Sequence, residues 1–151
     1  MQIIFKQFPR GILLALMLAA LPAAADETAG VVKNVKGSVT ITRNNTIVAA
    51  FPGAKILVAD QISTGRDGSL GITLKDDTLL SYGPNSTVKL DNFNFDSTTH
   101  EGNILLSMIK GSMIFVTGLI GKNTPQNVSL KVPNATIGIR GTEFAVEVEG
   151  E

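Results

Sequence analysis

The sequence contains no cysteine and no tryptophan, and it has one histidine and one tyrosine among its 151 residues. Without cysteine the chain can form no disulfide, no cysteine-ligated zinc site and no thiol nucleophile. Its 13 basic and 13 acidic side chains balance, so it lacks the excess of positive charge that is typical of nucleic-acid-binding proteins. These absences exclude several classes of activity before any motif is considered.

Residues 1–25 have the pattern of a secretory signal peptide. A basic start is followed by an uncharged, mostly apolar run at 11–21, and Ala23 and Ala25 supply the small side chains of a cleavage site. The apolar run is shorter than the roughly 20 residues that a membrane-spanning helix needs, and the chain has no cysteine for lipid attachment. We therefore expect cleavage after Ala25, a mature domain at 26–151 without a membrane span, and a periplasmic location in a Gram-negative host.

Short runs rich in valine, isoleucine and threonine, separated by glycine, asparagine, aspartate and proline, predict strands joined by turns. Asn44-Asn45 predicts a two-residue hairpin turn, because asparagine tolerates positive φ. The pattern predicts one all-β domain of about ten to twelve short strands in a sandwich- or solenoid-like stack. The clearest predicted strands are 38–43, 46–49, 69–74, 78–82, 86–90, 112–117, 128–132, 136–139 and 143–148.

Two segments between these strands are less regular. Residues 103–110 fit either a short helix or a strand, and the neighbouring strands favour a strand. Residues 91–102 are the most polar stretch and are predicted to form a loop. In the last strand, Phe144, Val146 and Val148 share one face, which we expect to be buried, whereas the opposite face is expected to be wet.

No segment carries a pattern that is typical of catalysis. His100 lies in a polar stretch and is expected to be solvated, and Asp76-Asp77 is expected to form a solvated turn. Residues 91–96 lack the ligand spacing of a calcium loop, and 118–122 lack the spacing of a phosphate loop and are expected to form a turn. We therefore expect no catalytic residues, no metal and no cofactor, and we expect the protein not to be an enzyme.

Glycines flank an isoleucine–arginine pair near the end of the chain, at Gly138 and Gly141. Glycine in a strand marks a bulge or a close backbone approach, so we expect this strand to pack under another segment and Gly141→Val to be destabilising. Arg140 is expected to lie in a tight, apolar place, where it would need a partner. A structural anchor is the favoured role of Arg140, and contact with a ligand is the alternative.

Several segments resemble the FecR domain. The closing segment 132–144 (VPNATIGIRGTEF) is very similar to that family's T-P-x-A-x-x-x-x-R-G-T-x-F motif, with valine where threonine is usual. Residues 58–65 resemble the G-D-x-I-x-T-G core, with Ala59 in place of glycine. Further similarity at 30–41, Gly53, 67–78 and 110–112 extends the resemblance from Gly30 to Val148.

The resemblance implies an all-β extracytoplasmic domain whose motif residues are structural. The best-known members are membrane-anchored sensors that relay a signal from an outer-membrane iron transporter to a cytoplasmic sigma factor. We expect this chain to lack the cytoplasmic segment, anchor and transporter-binding domain of that role, and to be a secreted, stand-alone module. The motif residues that the resemblance assigns are Gly37, Gly53, Asp60, Thr64, Gly65, Pro133, Gly138, Arg140, Gly141, Thr142 and Phe144.

Because Asp60 and Arg140 both lie in these motifs, Asp60 is the expected partner of Arg140, with Asp76 and Asp77 as reserves. The leading functional hypothesis is a non-catalytic module that binds a protein or cell-envelope partner, with signalling as its context. The alternative is a sensor of a small ligand, a polysaccharide or peptidoglycan, in which Phe93 and Phe95 stack on a sugar ring rather than pack in the core. The sequence indicates neither the partner nor the oligomeric state.

Overall fold

A computed structural model describes residues 27–150, and the predicted leader lies outside them. These residues form twelve strands, one five-residue helix and one 3-10 turn, so the prediction of an all-β domain of ten to twelve strands is confirmed. The strands are β1 (Thr28–Lys36), β2 (Val39–Arg43), β3 (Thr46–Ala49), β4 (Lys55–Leu57), β5 (Gln61–Thr64), β6 (Ser69–Leu74), β7 (Leu79–Tyr82), β8 (Thr87–Phe95), β9 (Gly102–Val116), β10 (Val128–Val132), β11 (Ala135–Gly138) and β12 (Glu143–Val148); helix α1 is Leu119–Asn123 and the 3-10 turn is Pro125–Asn127.

The twelve strands form one curled sheet with two halves that share β9, its 15-residue strand. One half has the order β3-β2-β5-β8-β9-β10-β11, and the other has the order β4-β1-β6-β7-β9-β12. Neighbouring strands are antiparallel, except that β10 runs parallel to β9. Among the described strands, β3, β4, β11 and β12 each have one paired neighbour.

A long bent hairpin passes from one half to the other. β7 pairs with β9 at 113–116, and β8 pairs with β9 at 102–110. The continuous segment from β7 through the turn at 83–86 to β8 therefore runs antiparallel to β9 along its length. We call the point at which β9 changes partner from β8 to β7 the crossing. There Gly111 has a φ of +103°, and a Cβ at this glycine would overlap the side chain of Ser86. Only glycine satisfies both the backbone conformation and the close approach at this point.

Two buried hydroxyl groups replace the interrupted ladder at the crossing. Ser86 Oγ accepts the N–H of Ser112 at 3.0 Å and lies 2.8 Å from the carbonyl oxygen of Gly83. Thr64 Oγ1 donates to the same carbonyl at 2.6 Å and accepts the N–H of Ser86 at 2.9 Å. These bonds satisfy backbone groups that would otherwise be buried without partners.

One hydrophobic core lies on the inner faces of both halves. The alternation predicted for 69–74 is present, since Leu70, Ile72 and Leu74 are buried on one face of β6. Tyr82, the single tyrosine of the chain, is buried at the end of β7 opposite Met113. Burial raises the pKa of the Tyr82 phenol well above its ordinary value, because the ionised form would lose its hydration.

The predictions for the Asn44–Asn45 turn and for residues 103–110 are both confirmed. Asn44 and Asn45 have φ values of 49° and 61° and join β2 to β3 through the pair Arg43–Thr46, which confirms the two-residue turn. Residues 103–110 belong to β9 and are a strand. Alternation of apolar side chains with partly exposed ones and pairing on both sides explain why no helix forms there.

Three local predictions are wrong. The predicted loop at 91–102 is strand as far as Phe95, because Phe93 enters the core and pairs opposite Ile104. The predicted turn at 118–122 is instead mostly helix, because α1 begins at Leu119 and ends at Asn123. Asp76, which was expected to be solvated, is fully buried, whereas its neighbour Asp77 is exposed.

The Asp76 carboxylate connects the β6–β7 turn to α1. One oxygen accepts the N–H of Thr78 at 3.1 Å, and the other accepts the Thr78 hydroxyl at 2.7 Å and the N–H of Ile120 at 3.2 Å. The backbone oxygen of Asp76 accepts the N–H of Leu119 at 2.7 Å. Three donors therefore depend on one carboxylate that water does not reach.

The helix of the described region is too short to be a transmembrane segment: within 27–150 no helix has the length and hydrophobicity needed to cross a bilayer.

Replacement of Asp76 by asparagine is expected to lower the free energy of unfolding by about 1–3 kcal/mol, because an amide presents only one acceptor oxygen and leaves a buried donor unpaired. Asp77→Asn is the matched control. Asp77 is exposed with a φ of 67°, a conformation that asparagine also tolerates. Urea unfolding of both variants measures the difference. Equal stability of the two would contradict the role assigned to the Asp76 carboxylate.

Candidate functional site: a C-terminal surface

Asp60, the acid of the G-D-x-I-x-T-G-like core, is buried and paired with Arg43. The Nε of Arg43 donates to one carboxylate oxygen at 2.9 Å, and Nη2 donates to the other at 2.7 Å. The N–H of Leu57 donates to the second oxygen at 2.8 Å, and Arg43 Nη2 also donates to the carbonyl of Lys55 at 3.0 Å. This two-point contact links the β2–β3 hairpin to the β4–β5 turn.

The predicted pairing of Arg140 with Asp60 is therefore wrong. Arg140 is exposed, and the preceding residue, Ile139, is the buried one. The N–H of Ile139 donates to the carbonyl of Val128 at 3.1 Å, which orients the isoleucine inward and the arginine outward. Arg140 does not pair with either reserve partner. The Asp76 carboxylate accepts a hydrogen bond from the N–H of Ile120 in α1, and Asp77 faces solvent.

The expected close packing at Gly138 and Gly141 is also wrong. A Cβ built at either glycine meets no atom within 4 Å, so no segment packs closely against these two positions. Gly141 is favoured for its backbone conformation instead, because its φ of +117° is one that residues with a Cβ rarely adopt. Its carbonyl accepts the Thr117 hydroxyl at 2.6 Å, and the carbonyl of Thr142 accepts the Thr117 N–H at 2.8 Å.

The earlier motif residues lie where the backbone is constrained. Gly37 and Gly53 have φ values of +63° and +93°, and a Cβ at Gly37 would overlap the backbone of Asp67. Thr64 and Gly65 lie at the crossing, where Gly65 N–H donates to the carbonyl of Ser38 at 2.8 Å. These positions build turns and the crossing.

Ala59 occupies the position at which the FecR-like pattern has glycine, and the backbone explains that pattern. Its φ is +73°, a left-handed conformation in which a Cβ is strained. The N–H of Ala59 donates to the carbonyl of Leu90 at 2.7 Å, so the conformation is held in place by β8. The residue is exposed, and its strain is therefore one of conformation rather than of packing.

The closing motif divides between the core and the surface. Phe144 is half-buried, and its ring lies 5.2 Å from that of Phe115. All four residues of β11 are exposed, as are Pro133, Arg140 and Thr142. Residues 133–148 thus form a C-terminal surface of two edge strands and the loop between them, and most of its motif side chains face solvent.

A cleft of about 750 Å³ lies at one end of the C-terminal surface. Its lining includes Pro133 and Asn134 of the β10–β11 turn, Val148 at the end of β12, and Ile109 and Lys110 of β9. Ile109 is half exposed. The cleft therefore offers apolar surface beside the edge of β12.

The two candidate sugar-stacking rings are in different surroundings. Phe93 is 5% exposed and belongs to the core. Phe95 is half-buried and stacks on exposed His100, with 6.3 Å between ring centroids. Only Phe95 of this pair is appreciably exposed, so the two phenylalanines do not form a joint platform for a sugar ring. Within the described residues, no three histidine or acidic side chains converge as metal ligands would.

Arg43, Asp76 and Ser86 are the important polar residues that sequence reasoning missed. Each lies in an ordinary turn or strand end, and each acquires its role from partners that are distant in sequence. The alternation that marks strands carries no information on such partners. The alanine at position 59, where glycine is usual, was a signal for the left-handed backbone there that sequence reasoning also missed.

A family model described as FecR protein matches residues 60–151, more than half of the chain. The match begins at Asp60 and includes β5 to β12 with the closing motif, whereas Gly37 and Gly53 precede it. No curated protein and no solved structure matches the chain significantly. The family match confirms the resemblance to the FecR domain over residues 60–151, whereas the similarity at 30–59 stays a prediction.

Arg43→Ala is expected to lower the free energy of unfolding by about 3 kcal/mol, because it leaves the Asp60 carboxylate buried without its cation. Arg140→Ala is the matched control and is expected to change stability by less than about 0.5 kcal/mol, since its side chain is exposed. Chemical denaturation of the two variants side by side checks this. A larger loss for Arg140→Ala would restore the anchor role that the geometry assigns to Arg43.

Ala59→Gly is expected to stabilise the protein by about 0.5–1 kcal/mol, because glycine adopts the left-handed conformation without strain. Ala49→Gly is the control in an ordinary strand at an exposed position, where the same change is expected to destabilise by a similar amount. Thermal unfolding compares them. Opposite signs at the two positions support the assignment, and a loss at both would contradict it.

Proposed function

The chain belongs to the FecR protein family, and on this premise we propose that it is a non-catalytic, periplasmic interaction module whose C-terminal surface binds a protein partner in the cell envelope. Membership indicates a signalling-related regulator domain. The partner, the location and the absence of catalysis are parts of the proposal. The C-terminal surface combines motif residues with exposed strand edges.

One observation carries the proposal: the closing motif, on which the resemblance is most specific, is mostly not used to build the core. β11, Arg140 and Thr142 are exposed, and Gly138 has open space around it. Side chains that do not stabilise the fold are available for recognition. Ile137, 40% exposed on an edge strand, adds an apolar contact of the kind found in protein interfaces.

The surroundings favour a protein over a glycan. Sugar binding relies on aromatic rings that face solvent, yet Phe93 is in the core and the C-terminal surface has one aromatic ring, Phe144, packed against Phe115. Strand edges, by contrast, bind extended protein segments through backbone hydrogen bonds. The leader pattern at 1–25 supports export to the compartment in which such a partner would lie.

A photo-crosslinking amino acid at position 137, with the full chain expressed in its native host, tests this function. Ile47 provides the matched control, because it is 71% exposed on β3, the other edge strand of the same half. We expect a discrete crosslinked protein from position 137 and none from 47, and we expect Arg140→Glu to reduce its yield. N-terminal sequencing of the exported protein is expected to begin at Asp26.

Equal crosslinking at both positions would contradict the proposed surface. Retention of the protein on peptidoglycan, without a crosslinked protein, would favour the glycan-sensor alternative. Recovery of an intact Met1 in membranes would contradict the proposed location.

A further inference from the structure

The outer edge of β12 presents unused backbone hydrogen-bonding groups. Among the described strands, β12 pairs with β9 alone, from Glu143 opposite Val116 to Val148 opposite Gly111. The N–H of Thr117 donates to the carbonyl of Thr142 directly opposite. Because bonded pairs alternate along an antiparallel ladder, Phe144 and every second residue after it bond to β9.

The intervening residues, Glu143, Ala145 and Glu147, therefore direct their N–H and carbonyl groups away from β9. These three residues are exposed. Their outward groups form the row of donors and acceptors to which a further strand can pair. β12 contains no proline or lysine, two of the residues that proteins commonly use to block an edge.

The two faces of β12 differ in chemistry. Glu143, Ala145 and Glu147 lie on the outer face. Neither of the two glutamates forms an ion pair within the part of the chain that the structure describes. On the inner face Phe144, Val146 and Val148 are packed against the core but only half-buried. A strand added here would therefore meet acids on one face and incompletely covered apolar side chains on the other.

A second copy of the chain fits this edge poorly. If two β12 strands paired antiparallel about Ala145, each Glu143 would lie opposite the other copy's Glu147. Like charges directly opposite across a strand pair are destabilising. The acids thus disfavour self-association at this edge and favour a strand of opposite charge.

Resting on the proposed function, we infer that the partner contributes an extended segment in which basic and apolar residues alternate, and that this segment adds to β12 as the next strand of the sheet. Its lysine or arginine side chains lie opposite Glu143 and Glu147, and its apolar side chains extend the half-buried row of Phe144, Val146 and Val148. Backbone hydrogen bonds to β12 bind the segment, and the charges of Glu143 and Glu147 make the binding selective for a basic strand.

The edge of β11 lacks this selectivity. Its four residues, Ala135–Gly138, carry no charge, and both faces are exposed rather than one being continuous with the core. The alternating pattern of β12 therefore identifies the more specific of the two edges in the C-terminal surface.

A short, fluorescently labelled peptide with alternating lysine and valine tests the inference by anisotropy titration at low salt. There are two comparison peptides. One contains the same lysine and valine residues arranged in two blocks, and the other has glutamate in place of lysine. We expect the alternating peptide to bind about tenfold or more tightly than either, because only it offers basic and apolar groups on opposite faces of a strand.

Variants of the chain then locate the binding. The double variant Glu143→Lys/Glu147→Lys is expected to weaken binding of the alternating peptide about tenfold or more. The control double variant Asp96→Lys/Glu101→Lys makes the same change in net charge at exposed acids away from β12. It is expected to leave binding of the peptide unchanged. Ala145→Pro removes one outward N–H without touching the β9 ladder and is expected to abolish binding.

Amide hydrogen exchange distinguishes strand addition from simple charge attraction. Bound peptide is expected to slow exchange at Glu143, Ala145 and Glu147, whose amides face outward, and to leave the amides bonded to β9 little changed. Binding without this alternating protection, or binding that survives both the charge reversal and Ala145→Pro, would overturn the inference.

The outcome separates the inference from the proposed function. A protein that crosslinks at position 137 and is unaffected by charge reversal on β12 would refute the inference and leave the interaction module standing. Specific peptide binding at β12 without any crosslinked protein would support the edge site and contradict the proposed partner surface.

Discussion

The hydroxyl of Ser86 allows one strand to belong to both halves of the sheet. β9 pairs with β8 and β10 along its first part and with β7 and β12 along its second, so its ladder must be interrupted where the halves separate. At that point Gly111 supplies the positive φ and Ser86 accepts the N–H of Ser112. Because four strands depend on β9, the arrangement of the core depends on this substitution of a side chain for a ladder carbonyl.

Local chemistry was sufficient to predict most strands and the Asn44–Asn45 turn, since alternation and turn residues act within a few positions. It failed where a residue is defined by distant partners. Arg43 meets Asp60 across 17 positions, and Asp76 meets Ile120 across 44. Nothing in either local sequence distinguishes a buried carboxylate from a solvated one, because burial is decided by which segment packs over it.

The candidate site shows the same division. The closing motif was visible in the sequence, and its family is confirmed, but its exposure was not foreseen. The apolar neighbours of Arg140 suggested burial, yet alternation placed Ile139 inside and the arginine outside. The turn and crossing residues of the earlier motifs hold the scaffold, and the closing motif supplies its exposed edges. The sequence singled out the closing motif, whereas only the pairing of the strands showed which of its residues are exposed.

Tyr82, next to the crossing, gives the protein a built-in optical probe of its core. The chain has no tryptophan and no other tyrosine, so tyrosine absorbance and fluorescence arise from one buried ring. Its folded-state pKa is raised, so the contribution of the neutral phenol to stability is complete below the ordinary pKa of about 10 and declines as the pH rises above it. In alkaline solution the appearance of tyrosinate and the opening of the core are therefore one coupled event, which a spectrophotometer can follow without any added label.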